Sequence, residues 1–200
     1  MRDAADCVFY AHSRPREPLA TWERLEWHLR RAGALARRFG RRFDAGATAA
    51  ASGLLHDVGK YSDAFQRRII DDAGRVDHAT GGAKEAVKLY GEVLGRLLAY
   101  GITTIGHHGG LPNGGNADDR TLLSRLESTQ IPPGYDRWKG RVRVPAPENL
   151  AMELVWGFSC QAVVWVVLTV FCSERERPFF VPSPGIRFAE RAEGVKGPKR

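Results

Sequence analysis

The chain has 200 residues, of which 43% are hydrophobic and 26% charged, with 30 Lys and Arg against 23 Asp and Glu. That composition excludes a disordered tail, a coiled coil and a collagen-like fibre, and the length supports one full core while leaving no room for a second enzymatic domain. The cysteines Cys7, Cys160 and Cys172 form no CxxC pair and residues 1–13 lack the apolar stretch of a signal peptide, so a cytoplasmic protein with reduced thiols is expected.

Trp22, Leu25, Leu29, Ala32, Ala36, Phe39 and Phe43 step by three and four, which predicts a helix over 21–44 with Thr21 as its N-cap. An Ala-rich helix over 45–58 follows, stopped by Gly59, so that His56 and Asp57 fall in its last turn. Ser62 is expected to cap a short helix over 63–70, and 71–74 reads as a turn. Asp77 then caps a helix reaching residue 100, with Ala83, Ala86, Val87, Tyr90, Leu94 and Leu97 inward. A short helix over 102–108 is closed by Gly109 and Gly110, the stretch 109–116 is a loop, and Leu122, Leu123 and Leu126 mark a helix over 118–129. The Pro-rich, basic stretch 131–147 predicts an exposed connection with a short extended piece at 141–144, before a last strong helix over 148–172. No internal repeat, Gly-rich phosphate loop or strand pattern occurs, and the expected fold is all-α.

Residues 154–172 include no charged side chain, close to the roughly 20 apolar residues of a membrane span. Gly157, Ser159, Gln161 and Thr169 interrupt the run, and an α-helical domain also needs a central helix that is apolar all round, so a buried core helix is preferred and no membrane association is expected. Charge is uneven: residues 1–44 carry 10 basic and 6 acidic groups, 45–136 carry 9 and 11, and 137–200 carry 11 and 6. Basic ends around an acidic middle suit a polyanion held beside bound cations; a solvated surface of Arg-rich helices accounts for them equally well.

The 6 histidines are the most informative residues. His56 adjoins Asp57, His107 adjoins His108 before a glycine pair, His78 follows Asp77, and His28 borders the apolar stripe of its helix. Imidazole and carboxylate together form a ligand set for zinc, manganese, nickel, cobalt or iron. A carboxylate such as Asp57 can bridge two ions about 3.5 to 4 Å apart, an arrangement suited to in-line hydrolysis of a phosphate ester.

Six stretches carry a resemblance: Tyr10-Ala11-His12-Ser13; Trp22 through His28-Leu29; Gly53-Leu54-Leu55-His56-Asp57-Val58-Gly59-Lys60-Tyr61-Ser62; Phe65-Gln66; Asp77-His78-Ala79-Thr80; and His107-His108-Gly109-Gly110-Leu111-Pro112. In this order, over roughly residues 7–130, they resemble the HD-nuclease domain of the type I CRISPR interference helicase-nuclease. His-Asp alone is shared by the wider HD phosphohydrolase superfamily; its combination with Gly-Lys-Tyr-Ser and with paired histidines before Gly-Gly-Leu-Pro is the specific part. The resemblance implies an HD-domain helical bundle over 1–175, followed by a basic Pro/Gly-rich tail over 176–200. It also implies a nuclease acting on single-stranded DNA, partnered by a helicase and recruited by the crRNA-guided Cascade complex. By the same resemblance His28, His56 and Asp57 serve one divalent metal, and Asp57, His78, His107 and His108 a second, the ions being manganese, cobalt, nickel, iron, zinc or magnesium. Lys60 would approach the scissile phosphate and offset transition-state charge; an exposed lysine at a helix C-terminus is its plainer reading. His12 and Ser13 match the family pattern with no ligand role.

The pattern breaks at one point. The family closes its first metal site with an aspartate shortly after a Phe-Ser-Cys-like stretch, whereas Phe158-Ser159-Cys160 is followed here by Gln161-Ala162-Val163-Val164-Trp165 and no aspartate occurs after Asp136. Val163 or Trp165 would stand in its place, and Glu153 and Glu174 are the nearest acids. Two rival readings follow, an HD nucleotide phosphohydrolase using His28, His56 and Asp57, and a degenerate module that keeps its docking surface without catalysis. No GxxxxGK[ST] helicase loop is present.

Overall fold

A computed structural model describes residues 7–72, 74–105, 121–128 and 130–150. The fold is all-α: helices α1 (Leu25–Gly40), α2 (Gly46–Leu55), α3 (Asp63–Asp71), α4 (Ala79–Tyr90), α5 (Arg96–Ile105) and α6 (Leu122–Ser128) are accompanied by short 3₁₀ turns and one π-helical turn, and among the described residues the one extended pairing is an isolated antiparallel bridge between Tyr10 and Arg24. No helix among the described residues is long and apolar enough to cross a membrane. The apolar run over 154–172, the tail over 176–200, and Val163 and Trp165 lie outside the described residues.

Helix α1 forms because Leu25, Leu29, Ala32 and Ala36 make one buried stripe, with Glu26 in its first turn and Arg37 and Arg38 in its last, each on the side the helix dipole favours. It starts later than 21. Thr21 ends a separate 3₁₀ turn, Leu19–Thr21, and spends its hydroxyl on the Pro18 carbonyl at 2.8 Å, so it cannot cap α1. Arg24 takes the N-cap position in extended conformation, because the backbone there pairs with the N-terminal segment: Leu25 donates to the Phe9 carbonyl and Ala11 to the Glu23 carbonyl.

Helix α2 ends at Leu55, and a 3₁₀ turn, Val58–Tyr61, follows. His56 and Asp57 therefore sit in the joint between the two rather than inside a helical turn, and Gly59 lies within the 3₁₀ turn rather than stopping α2. The small seam of α2 lets α1 come close: a Cβ on Gly53 would stand 2.8 Å from the Ala32 carbonyl oxygen. Close helix contact sets His28, on the buried side of α1, directly over the end of α2.

Ser62 caps α3 as expected, accepting from the Phe65 amide at 3.3 Å. Asp77 caps α4 through its side chain, accepting from the Thr80 amide at 3.1 Å and the Thr80 hydroxyl at 2.7 Å. The single helix expected to run to residue 100 is broken, because Gly91 takes φ +75° and a π-helical turn, Gly91–Gly95, inserts before α5. Helix α5 then continues to Ile105, so 102–105 are its last turn and not a separate helix. Ala83, Ala86, Tyr90 and Leu94 are buried as expected.

The stretch 131–147 is not merely an exposed connection, and residues 148–150, expected to open the last helix, form the end of a 3₁₀ turn and a bend instead. Trp138, Val142 and Leu150 enter the core, with 3₁₀ turns at Tyr135–Trp138 and Pro147–Asn149 and no strand at 141–144. Tyr135 donates to Glu85 on α4 at 2.9 Å, and Tyr90 to the Pro145 carbonyl at 2.8 Å, so two phenols fasten the stretch.

Candidate metal centre

Asp57 lies in the joint between α2 and the 3₁₀ turn Val58–Tyr61, and it is 1% exposed. His28 reaches it from α1, with Nε2 3.3 Å from Oδ2; His56 Nε2 lies 3.0 Å from the same oxygen; His78 Nε2, from the start of α4, lies 3.4 Å from Oδ1. The Nε2 atoms of His28 and His56 face each other at 3.2 Å. Donors about 2.0–2.1 Å from a tetrahedral ion stand about 3.3 Å apart, so His28, His56 and Asp57 already have the spacing of three corners of a coordination shell.

The hydrogen-bond chemistry of the ring nitrogens adds an independent argument. His56 Nδ1 is 2.8 Å from the Gly53 carbonyl and His78 Nδ1 is 3.4 Å from the Val76 carbonyl. A carbonyl only accepts, so in the neutral rings Nδ1 carries the proton and each Nε2 presents a lone pair to Asp57. Both Asp57 oxygens are buried and receive no well-directed hydrogen bond among the described residues. A cation among these atoms would satisfy the lone pairs gathered on the buried carboxylate. His28, His56 and Asp57 could hold a metal ion, with His78 beside the carboxylate's second oxygen.

Lys60 supplies one positive charge already. It is 2% exposed, its Nζ 2.6 Å from Asp57 Oδ2 and donating to the Ala11 carbonyl at 3.1 Å, so it is a buried partner of Asp57 and not an exposed lysine at a helix end. Burial alone would raise the Asp57 pKa; the His56 imidazole and the Lys60 ammonium beside it reverse this and hold the carboxyl well below the usual range. The acid is thus ionised, as a ligand must be. With neutral imidazoles the Asp57–Lys60 pair sums to zero, so a divalent ion would leave the pocket positive toward a phosphate.

The surrounding motif residues act as braces. Gln66 accepts from the Tyr10 amide at 3.0 Å and donates to the carbonyls of Tyr10 at 3.0 Å and Lys60 at 2.8 Å, stitching the N-terminal segment over the 3₁₀ turn. A Cβ on Gly59 would lie 2.1 Å from the His78 carbonyl oxygen, and this contact brings His78 against Asp57. Asp77 also accepts from Arg125 at 3.2 Å, linking the start of α4 to α6.

Two residues join the site without having been marked as part of it by the sequence. His12 is edge-on to His28 with ring centroids 4.9 Å apart; desolvation of its ring, then the charges of Lys60 and His28, push its pKa down to about 4. Glu23 Oε2 is 3.4 Å from His28 Nδ1 and its Oε1 is 3.0 Å from Arg31. His12, Glu23 and His28 have ligand atoms close enough to form a second metal-ligating group. Glu23 falls in the extended stretch before α1, where no helical period could single it out. His107 and His108, the remaining expected ligands, lie outside the described residues.

Comparison of the chain with protein-family models finds no match, and comparison with curated proteins likewise finds none.

Proposed function

We propose that this protein is a metal-dependent phosphodiesterase, an HD-type nuclease that cleaves single-stranded DNA in CRISPR antiviral interference beside a helicase and the Cascade complex. The observation carrying the reading is the convergence of His28, His56 and His78 on the buried carboxylate of Asp57. The specificity for DNA and the CRISPR context rest on the sequence resemblance alone, with the basic ends of the chain in keeping with a polyanion.

Divalent ions bound here would supply Lewis acidity and acidify a water for attack on phosphorus. His28, His56 and Asp57 would hold the first, and Asp57, His78, His107 and His108 the second. Lys60 would keep Asp57 ionised and fixed. Its 2.6 Å contact with Asp57 argues for this charge-balancing role over direct reach to the scissile phosphate.

The missing carboxylate after Cys160 supports a second reading, a domain with a weakened first site and slow or absent catalysis. The experiment that tests both incubates the purified chain with single-stranded DNA and manganese, cobalt or nickel, with mononucleotides as the competing substrate class. Cleavage of DNA that Asp57→Ala abolishes supports the nuclease. Metal binding without cleavage supports the degenerate module, and mononucleotide turnover alone supports the phosphohydrolase. Activity of Asp57→Ala within a few-fold of the parent would remove the assigned site. His107→Ala and His108→Ala are each expected to lower bound metal by about one ion.

A further inference from the structure

Glu23 has no role in the reading above, yet it is the described carboxylate on the far side of His28. His28 is completely buried, Nε2 directed at Asp57 and His56, and Nδ1 3.4 Å from Glu23 Oε2. Glu23 is itself held from outside, Arg31 Nη2 lying 3.0 Å from Oε1. The backbone fixes its place as well, since the Glu23 carbonyl accepts from the Ala11 amide at 3.0 Å in the bridge between the N-terminal segment and the start of α1.

We infer that Glu23 is a positioning residue for the metal centre: its carboxylate accepts from His28 Nδ1–H, fixes that tautomer, and so presents the Nε2 lone pair to the ion. A neutral imidazole carries one ring proton, and which nitrogen bears it is decided by the stronger acceptor. Asp57 Oδ2 is 3.3 Å from Nε2 and would otherwise draw the proton there, which would block coordination. Glu23 competes from the other side, and its charge also makes the imidazole a better donor to metal. His56 solves the same problem with the Gly53 carbonyl, and His78 with the Val76 carbonyl. His28 differs from both in having a carboxylate, the stronger acceptor, which suits the ring wedged most tightly between two other ligands.

The inference rests on the proposed metal site, and its test separates the two. Long-range proton–nitrogen NMR on the metal-free protein reads the His28 tautomer. Cobalt absorption and manganese titration read affinity without reference to activity. In the parent His28 is expected as the Nδ1–H form. Glu23→Ala should shift it toward Nε2–H and weaken metal binding about 10- to 100-fold. Glu23→Gln keeps a neutral acceptor at the same reach and should retain the tautomer while losing only part of the affinity. An unchanged tautomer and affinity in Glu23→Ala would overturn the inference. Loss of a whole equivalent of metal with the tautomer unchanged would overturn it in another way, making Glu23 a direct ligand with His12. His28→Ala is the control: if it leaves cobalt binding intact, the metal site itself is wrong; if it abolishes binding while Glu23→Ala does nothing, only the role of Glu23 fails.

Discussion

Lys60 Nζ and Asp57 Oδ2 form a buried ion pair at 2.6 Å, on the same oxygen that His28 and His56 approach at 3.3 and 3.0 Å. The ammonium compensates the charge of the buried carboxylate. Removing one partner of a buried pair leaves an uncompensated charge and costs about 3–5 kcal/mol. Lys60→Met is therefore expected to lose about that much stability in chelator, and to recover part of it with manganese, whose binding to the folded chain adds free energy. Urea denaturation in both conditions measures this. A loss below about 1 kcal/mol, or an identical loss with and without metal, would mean that Lys60 does not hold the charge of Asp57.

Gly59 and His78 are in backbone contact, so a side chain at 59 must push the start of α4 away from Asp57. Gly59→Ala should destabilise the fold by about 1–3 kcal/mol through overpacking. It should also weaken metal binding as His78→Ala does, and the double variant should fall short of the sum because both act through one ligand. Calorimetric metal titration of the two single variants and the double variant decides it; full additivity would detach Gly59 from the site.

Much of this centre was legible before any coordinates, and the reason is local. His56, Asp57, Gly59 and Lys60 are neighbours in the chain and share one motif, whereas the close backbone approaches at Gly53 and Gly59 were not read from it, Gly59 having the look of a helix stop. The helical stripe Leu25, Leu29, Ala32 and Ala36 was readable, since burial writes itself as a period. What was hidden depends on tertiary pairing. Thr21 reads as a cap until the Phe9–Leu25 bridge moves the start of α1, and 131–147 reads as a surface connection until Trp138 and Val142 are seen in the core. Lys60 has the sequence of an exposed helix end, and only the Ala11 carbonyl, 49 residues away, makes it a buried cation.

Glu85 on α4 is 1% exposed and accepts from Tyr135 Oη at 2.9 Å, with Lys139 Nζ at 3.9 Å. Tyr135→Phe removes that donor from a buried carboxylate and should cost about 1–3 kcal/mol at neutral pH. Burial, and then the bond to Glu85, push the Tyr135 pKa up to about 12. Because the folded value lies above the unfolded one near 10, the stabilisation is complete below about pH 10 and is lost as pH rises through the folded pKa. The gap between parent and Tyr135→Phe in denaturant midpoint should therefore narrow from about pH 10 upward. A gap that is constant to pH 12 would mean the phenol proton is not what Glu85 uses.

Asp63, at the start of α3, is paired through both oxygens with the Arg137 guanidinium, a further tie between 131–150 and the site-bearing half of the fold. The hydrogen bonds from Arg137, working against a small burial effect, lower the Asp63 pKa. For a carboxyl depressed in the folded state, stability is present above the unfolded pKa near 3.9 and is lost as pH falls through the folded one. Both side chains are largely in water, at 57% and 38% exposure, so screening keeps the pair to about 0.2–1 kcal/mol. Asp63→Asn should cost no more than that at pH 7 and less in high salt, and its stability should converge on the parent's as pH drops below about 4. Urea midpoints at pH 7 and at pH 3, each in low and high salt, test all three limbs. A penalty that persists undiminished at pH 3 would show that Asp63 acts through packing or by capping α3, and not through its charge on Arg137.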